Sequence, residues 1–565
     1  MTQNPIKSIE NPPKQDHTFQ YSSLAVLCLA IAIIVIDGTV LNVSINDITK
    51  ALNTDLKSIQ WAITSYSLVI ASLTILGGRI GDLFGRKRMF VLGAIIFGIG
   101  SLMTAFSQDI NMLILGWSVV EGAGAALMVP ASSALIISNF EPKDRGKAFG
   151  IYGATAGVAA AIGPILGGFL TTNYGWRWAF GINIFVVAAL VISSRVLKGY
   201  NPEEKPKINL DILGVILSSF GLASLSYGII ESSTYGWINA KKAWDIFGQR
   251  ITLPGNLSVS LYGIVIGLAM LIAFVYWEYI TEKKGNQPLI TLSIFKSQVF
   301  TIGNLVTSVL FAGFTGIITF GIALFYQKIL WLSAFDSGIG LIPLSLGVFL
   351  MAPFSSRLTK FLAPKRIIQI GLGTVLIASI MLYFAISESA TRITMIPPLL
   401  IFGLGFGVMI SQLSSITLSA TSKELAGAAS GIYGTVREVG KTFGAAIIGA
   451  VFLATLTSSL VTGIENDTNI PSPVRSQLAT NIKNADSDNK SDSEDCKPAN
   501  LSSRAAPQTP KEKVAQAVQD EICNNTKTAI VAGNKEAIKY TGVFTGVAFV
   551  LSLFLPKKKE TPHEV

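Results

Sequence analysis

Apolar runs of about 20 residues, the length needed to cross a bilayer as a helix, recur along almost the whole chain. Fourteen can be drawn, from Ser22–Val43 to Tyr540–Leu555. Six lie between Ser22 and Leu197, two more are Leu210–Ile230 and Leu257–Tyr279, and six follow Val299. Only 14% of residues are charged and mean hydropathy is +0.53, whereas a soluble domain carries about 25% charged residues. The expected fold is therefore an all-α polytopic membrane protein.

Lys and Arg set the orientation. With the N-terminus inside, cytoplasmic segments hold 24 of these residues and the short external loops hold 8. Short loops decide topology, and long translocated loops do not, so both termini are expected in the cytoplasm of a cell-membrane protein. Topology then accounts for the net charge of +10, and no nucleic-acid partner is needed. The expected organisation is an N-terminal tail (1–21), a six-helix bundle (22–197), and a linker with spans seven and eight (198–297). A second six-helix bundle (298–555) and a basic tail (556–565) follow. Two pseudo-symmetric six-helix bundles with two linking helices fit a recurring transporter plan, with substrate bound between the halves near the midplane. The second bundle contains a long polar loop, 457–539, expected outside. Its run Asp486–Asp495 has the composition of disorder, and a helical pattern resumes at Lys511.

Several classes are excluded. The only two histidines, His17 and His563, sit in the tails, so neither a metal site nor a cofactor is expected. Three cysteines (Cys28, Cys496 and Cys523) are too few for a disulfide framework, although the last two can form one bridge in an oxidising compartment. No phosphate-binding G-x-x-x-x-G-K-[ST] string occurs, and no nucleophile constellation suggests an enzyme.

Asp37, in the middle of the first apolar run, is the most informative single residue. An acid at that depth costs about 2.5 kcal/mol or more on insertion scales and usually serves transport, proton relay or pairing. The structural alternative is a carboxylate bonded to Thr39 or Asn42. Glu121, in the fourth run, is a second intramembrane acid, and Arg437, Glu438 and Lys441 form a charged group in the thirteenth. Desolvation favours the neutral form of a carboxylate, so Asp37 and Glu121 are candidate proton or cation sites. Arg437 is a candidate partner for Glu121, while Glu438 is expected in an internal ion pair. Trp61, Tyr66, Tyr152 and Phe325 are the favoured aromatics for flat, lipophilic cations; Trp117, Phe311, Phe314 and Tyr433 are further candidates.

Two motifs carry a family resemblance. Gly78, Gly81, Asp82, Gly85, Arg86 and Lys87 resemble the loop after the second helix in the major facilitator superfamily. Gly157, Gly163, Pro164, Gly167 and Gly168 resemble that superfamily's antiporter motif. Asp37-Gly-Thr39, Trp61 with Tyr66, Trp176-Arg177-Trp178 with Asn183, Gln287-Pro288-Leu289, Tyr326-Gln327 and Arg437 with Gly440 are similar to the branch of fourteen-span drug:proton antiporters. The resemblance implies a cytoplasmic gate, with Asp82 facing the helix start near Gly427–Ser430. It also implies a fifth span whose glycine face packs on the second half and seals the pore. One departure stands out: where relatives often place an arginine in span four, this chain has Ser118, with Glu121 close by. The expected activity is proton-coupled efflux of lipophilic or cationic small molecules by a monomer. A carrier without proton coupling is the alternative, and a receptor or scaffold is a third reading.

Overall fold

The computed structural model describes residues 17–54, 56–140, 142–197, 211–246, 249–286, 288–421, 425–484 and 510–556. Residues 1–16 of the N-terminal tail, the linker 198–209, Gln287, the run Asp486–Asp495, Cys496 and the basic tail from residue 557 lie outside them.

Within hydrocarbon every backbone polar group must be satisfied internally, and this chain meets that demand with helices. Three helices come first: α1 (His17–Ala51), α2 (Leu56–Phe84) and α3 (Arg86–Ala105). The next rod is continuous from Ile110 to Asn139. It comprises α4 (Ile110–Leu113), a π-helical segment (Ile114–Glu121) and α5 (Gly122–Asn139). Then come α6 (Pro142–Tyr174), α7 (Arg177–Ser193) and α8 (Ile212–Tyr235). A small antiparallel hairpin, β1 (Trp244–Ile246) with β2 (Gln249–Ile251), pairs Asp245 with Arg250 and is a departure from the purely helical expectation. α9 (Val259–Lys283) leads to α10 (Gln298–Gly316), a second π segment (Ile317–Ala323) and α11 (Leu324–Lys328). The remainder is α12 (Ala334–Gly340), α13 (Ile342–Leu358), α14 (Pro364–Ala385), α15 (Ile396–Ser419), α16 (Ala426–Asn466), α17 (Ser472–Asn484) and α18 (Pro510–Ser552).

Among the described residues, 12 helices are long and apolar enough to cross a membrane. Two of the fourteen expected spans fall short by that measure. Around Asp336–Ser356 the chain breaks at Leu341 between α12 and α13, leaving a shorter apolar helix, Ile342–Ser355. The expected span Tyr540–Leu555 is the last part of the 43-residue α18.

Two large apolar cores organise the bundle. One unites α1–α7 around Phe90, Phe97, Trp117 and Phe180; the other unites α10–α15 and α18 around Phe325, Tyr326 and Phe402. α8 and α9 pack through small residues, since a Cβ on Gly263 would lie 2.9 Å from the Gly228 Cα; such faces let membrane helices approach closely. α16 joins the two cores: Thr435 Oγ1 donates to the Ala71 carbonyl of α2 at 3.0 Å, and Ser430 Oγ to the Pro130 carbonyl of α5 at 3.4 Å. Much of the expected polar loop is helical, because α16 and α18 run on past the bundle and pair there. Asn525 Nδ2 donates to Asp467 at 2.8 Å, and Asn469 Nδ2 donates to Glu521 at 3.0 Å, above buried Ile464, Ile470 and Cys523.

Candidate functional site

Four helical rods bring the buried acids together. Asp37 comes from α1, Glu121 and Trp117 from the first π segment, Ser101 from α3 and Asn183 from α7. Asp37 and Glu121 are 1% and 0% exposed. Trp117 Nε1 donates to Asp37 Oδ2 at 2.7 Å, and Asn183 Nδ2 donates to Asp37 Oδ1 at 2.9 Å. The same amide nitrogen lies 3.3 Å from Glu121 Oε1 and 3.2 Å from Ser101 Oγ, and Ser101 Oγ donates to Glu121 Oε1 at 2.7 Å. An amide nitrogen has two hydrogens, so Asn183 serves two of these three acceptors at a time.

Asn183 Nδ2 thus lies within hydrogen-bond distance of both carboxyl groups, and Glu121 Oε2 has no hydrogen-bond partner. Among the described residues, no Lys or Arg forms a salt bridge with either acid. The Tyr66 ring stacks on Trp117, with centroids 4.7 Å apart and planes 2° apart, and Phe180 meets the indole edge-on. The Tyr66 hydroxyl is buried without a hydrogen-bond partner. π-Helical turns are rare and frequent at functional sites; here the wide turn carries both the indole donor and the second acid.

Of the structural alternative for Asp37, the bond to Thr39 is not made. Thr39 Oγ1 is 3.0 and 2.9 Å from its own helix's Val35 and Ile36 carbonyls, and the Asn42 side chain lies outside the described residues. Arg437 does not pair with Glu121. Its Nη2 is 3.1 Å from Glu438 Oε1, which also accepts from Lys441 Nζ at 2.9 Å. Of the aromatics, Tyr66 belongs to the network and Trp61 meets Tyr227 of α8 edge-on at 5.7 Å. Tyr152 is buried with its hydroxyl unpartnered. Phe325 is fully buried beside Tyr326 in the second core and offers no surface to a ligand.

Residues 27–445 match the family model described as Major Facilitator Superfamily. The chain belongs to the Major Facilitator Superfamily. It is 30% identical over 469 residues to a probable actinorhodin transporter of Streptomyces coelicolor, covering 81% of this chain and 76% of that one. It is 30% identical over 438 residues to a puromycin resistance protein of Streptomyces alboniger, with coverages of 76% and 81%. A multidrug transporter protein of Bacillus subtilis aligns over 536 residues at 27% identity, 94% of this chain and 92% of the relative. In fold it resembles a bacterial homologue of the human lysosomal transporter Spinster, at TM-score 0.56, 14% identity and coverages of 97% and 100%. It also resembles a proton:xylose symporter, at TM-score 0.52, 13% identity and coverages of 76% and 88%.

The superfamily motifs take definite positions. Gly85 has φ of 100°, a left-handed backbone that glycine adopts without strain, and it turns the chain between α2 and α3. Asp82 accepts from Arg86 Nε at 3.0 Å, while Arg86 Nη1 donates to the Ala134 carbonyl of α5 at 3.2 Å. Lys87 Nζ donates to the Leu197 carbonyl at 2.7 Å. The loop thus ties α2 and α3 to α5 and to the chain after α7. Of the stretch Gly427–Ser430, where the partner of Asp82 was expected, Gly427's surroundings lie outside the described residues, and Ser430 bonds to the Pro130 carbonyl.

The antiporter-motif face is split between two neighbours. A Cβ on Gly157 would collide with Val348 of α13, and Gly338 of α12 lies against the Pro164 carbonyl. Gly163 and Gly167 instead face Thr39 and Val40 of α1, within the first core. One contact surface therefore reaches α12 and α13 beside the second core, while the other presses on the helix that carries Asp37. Sequence reading gave Trp117 and Asn183 no part in holding the acids and passed over Ser101. Lone polar residues such as Asn183 and Ser101 inside apolar runs were the available signal.

Proposed function

We propose that this superfamily transporter exports amphipathic compounds, cations among them, in exchange for protons. The halves 22–197 and 298–555 of a fourteen-span monomer rock about a central site, with spans seven and eight as lateral helices. Both termini face the cytoplasm of the cell membrane. The names of the relatives, the two apolar cores joined by α16 and the Lys/Arg asymmetry support this reading.

One observation carries it: two carboxyl groups share a donor in the bundle interior, and no cation among the described residues is paired to them. Two unneutralised charges at such a depth are costly. A single proton shared by Asp37 and Glu121 removes one charge, and Trp117 and Asn183 hydrogen-bond the other. Cationic cargo competes with that proton for the same site. The proton-loaded or cargo-loaded carrier is then free to reorient, and the empty doubly charged one is not. Asp82, Arg86 and Lys87 close the cytoplasmic end in this scheme, and the Gly157–Val348 contact seals against leak.

Reconstituted vesicles test it. An imposed proton gradient is expected to drive ethidium transport by the wild type and not by Asp37→Asn, with Glu121→Gln shifting the pH profile. Wild-type flux by a correctly inserted Asp37→Asn protein would overturn the coupling role.

A further inference from the structure

The charged group on α16 has a property that proton exchange leaves unused. Glu438 is the one carboxylate that forms salt bridges with Arg437 and Lys441 among the described residues, at 3.1 and 2.9 Å. Two cations against one anion leave a surplus positive charge within a span. Arg437 and Lys441 keep 20% and 31% of their side-chain surface open, whereas Glu438 keeps 3%. The acid is buried as the holder, and the cations face open space. A net charge within a span that no counterion joins is costly.

The surroundings are aromatic. The Arg437 guanidinium and the Lys441 ammonium lie 5.8 and 5.9 Å from the Phe311 ring centroid. Phe314 stacks on Phe406 at 4.0 Å, and Phe311 meets Phe406 edge-on at 5.9 Å. Phe311 and Phe406 are buried, and Phe314 is partly exposed beside them. α16 itself meets the first core: two residues before Arg437, Thr435 Oγ1 donates to the Ala71 carbonyl of α2, the helix that carries Tyr66. The rod that carries Glu121 and the helix that carries Arg437 thus both pack on α2, through Ser118 to the Ala62 carbonyl and Thr435 to the Ala71 carbonyl.

We infer that Arg437 and Lys441 form an anion-recognising half of the cargo site, and that the preferred cargo is a flat aromatic compound carrying an ionised acid group. The inference rests on the export reading above and narrows its substrate class. The acid takes charge-assisted hydrogen bonds from the guanidinium and ammonium, the ring lies along the phenylalanine wall, and any amine on the cargo points towards Asp37 and Glu121. Neutral cargo leaves the surplus charge without its counterion.

Binding to the purified full-length protein in detergent, read by fluorescence polarisation, tests this without a gradient. The probes are rhodamine B, which has a free carboxylate, and its methyl ester, which does not. The wild type is expected to bind the acid at least about tenfold more tightly than the ester. Lys441→Gln should abolish that preference and Lys441→Arg should retain it. Equal affinities in the wild type, or an undiminished preference in Lys441→Gln, would overturn the inference. If Lys441→Gln binds neither dye, Lys441→Arg decides: a kept preference supports the assignment and a lost one overturns it. Failure of the export reading would show differently, as absent gradient-driven flux with the dye preference intact.

Discussion

Replacing Trp117 by Phe removes one hydrogen-bond donor from Asp37 and keeps an aromatic ring against Tyr66. The lost bond is 2.7 Å long, at the short end of the range for charge-assisted contacts. A hydrogen bond to a charged group contributes about 1.5–3 kcal/mol, against about 0.5–1.5 kcal/mol between neutral partners. Indole-to-phenyl truncation also opens a small cavity, but that cost is common to any background and cancels in a double-mutant cycle. Against Asp37→Asn, the cycle should therefore give a coupling of about 1–1.5 kcal/mol, the charged bond minus the neutral one. This holds at a pH where Asp37 is ionised. Once the carboxyl takes up a proton, its bond to Trp117 becomes a neutral one and the coupling should fall towards zero. Equilibrium unfolding of the four proteins in mixed detergent micelles, repeated from mildly acidic to mildly alkaline pH, measures it. A coupling that stays constant would refute the reasoning. Constant and large means a permanent anion; constant and near zero means a permanently neutral group. Neither could exchange a proton for cargo.

Two further outcomes follow from packing and chemistry. Gly163→Ala places a methyl group against Thr39 Oγ1 and 3.0 Å from the Ile36 carbonyl, so it should cost roughly 1–3 kcal/mol by overpacking. Adding Thr39→Ala should restore part of both the stability and the export activity; no rescue would mean that α1 and α6 do not meet there in the working protein. Cys28 is a free buried thiol and Cys523 is disulfide-bonded, which calls for an oxidising compartment. In a Cys28→Ser background, a membrane-impermeant maleimide applied to intact cells should label the protein only after mild reduction. Labelling confined to the cytoplasmic face of inverted vesicles would reverse the proposed orientation.

The fold class was legible because each apolar run is long and nearly free of charge, and Asp37 was legible because it interrupts one. The partners of Asp37 were not. Asn183 lies 146 residues away, and nothing in local spacing says which buried amide meets which acid. Trp117 and Glu121 lie four positions apart, but their presentation depends on a π segment that hydrophobic periodicity does not report. Phe325 misled for a related reason: a ring that fills a core and a ring that lines a cavity are the same residue in sequence. Hydropathy also continues across the break at Leu341, so one apolar run in sequence is two helices, α12 and α13, in the structure. Polarity concealed the outer parts of α16 and α18. Those helices pair through Asn525, Asp467, Asn469 and Glu521, so a segment that reads as loop gains its stability from side-chain amides and acids around a narrow apolar strip.

That long helix offers a handle on motion. With 41 residues, α16 is about 60 Å long, roughly twice the hydrocarbon thickness. It carries Arg437 within the bundle and ends at Asn466, well past it. A tilt of about 10° displaces a point 30 Å from the pivot by ~5 Å. A spectroscopic label near Asn466 would therefore amplify each stroke of the charged segment into a distance change that can be followed turnover by turnover.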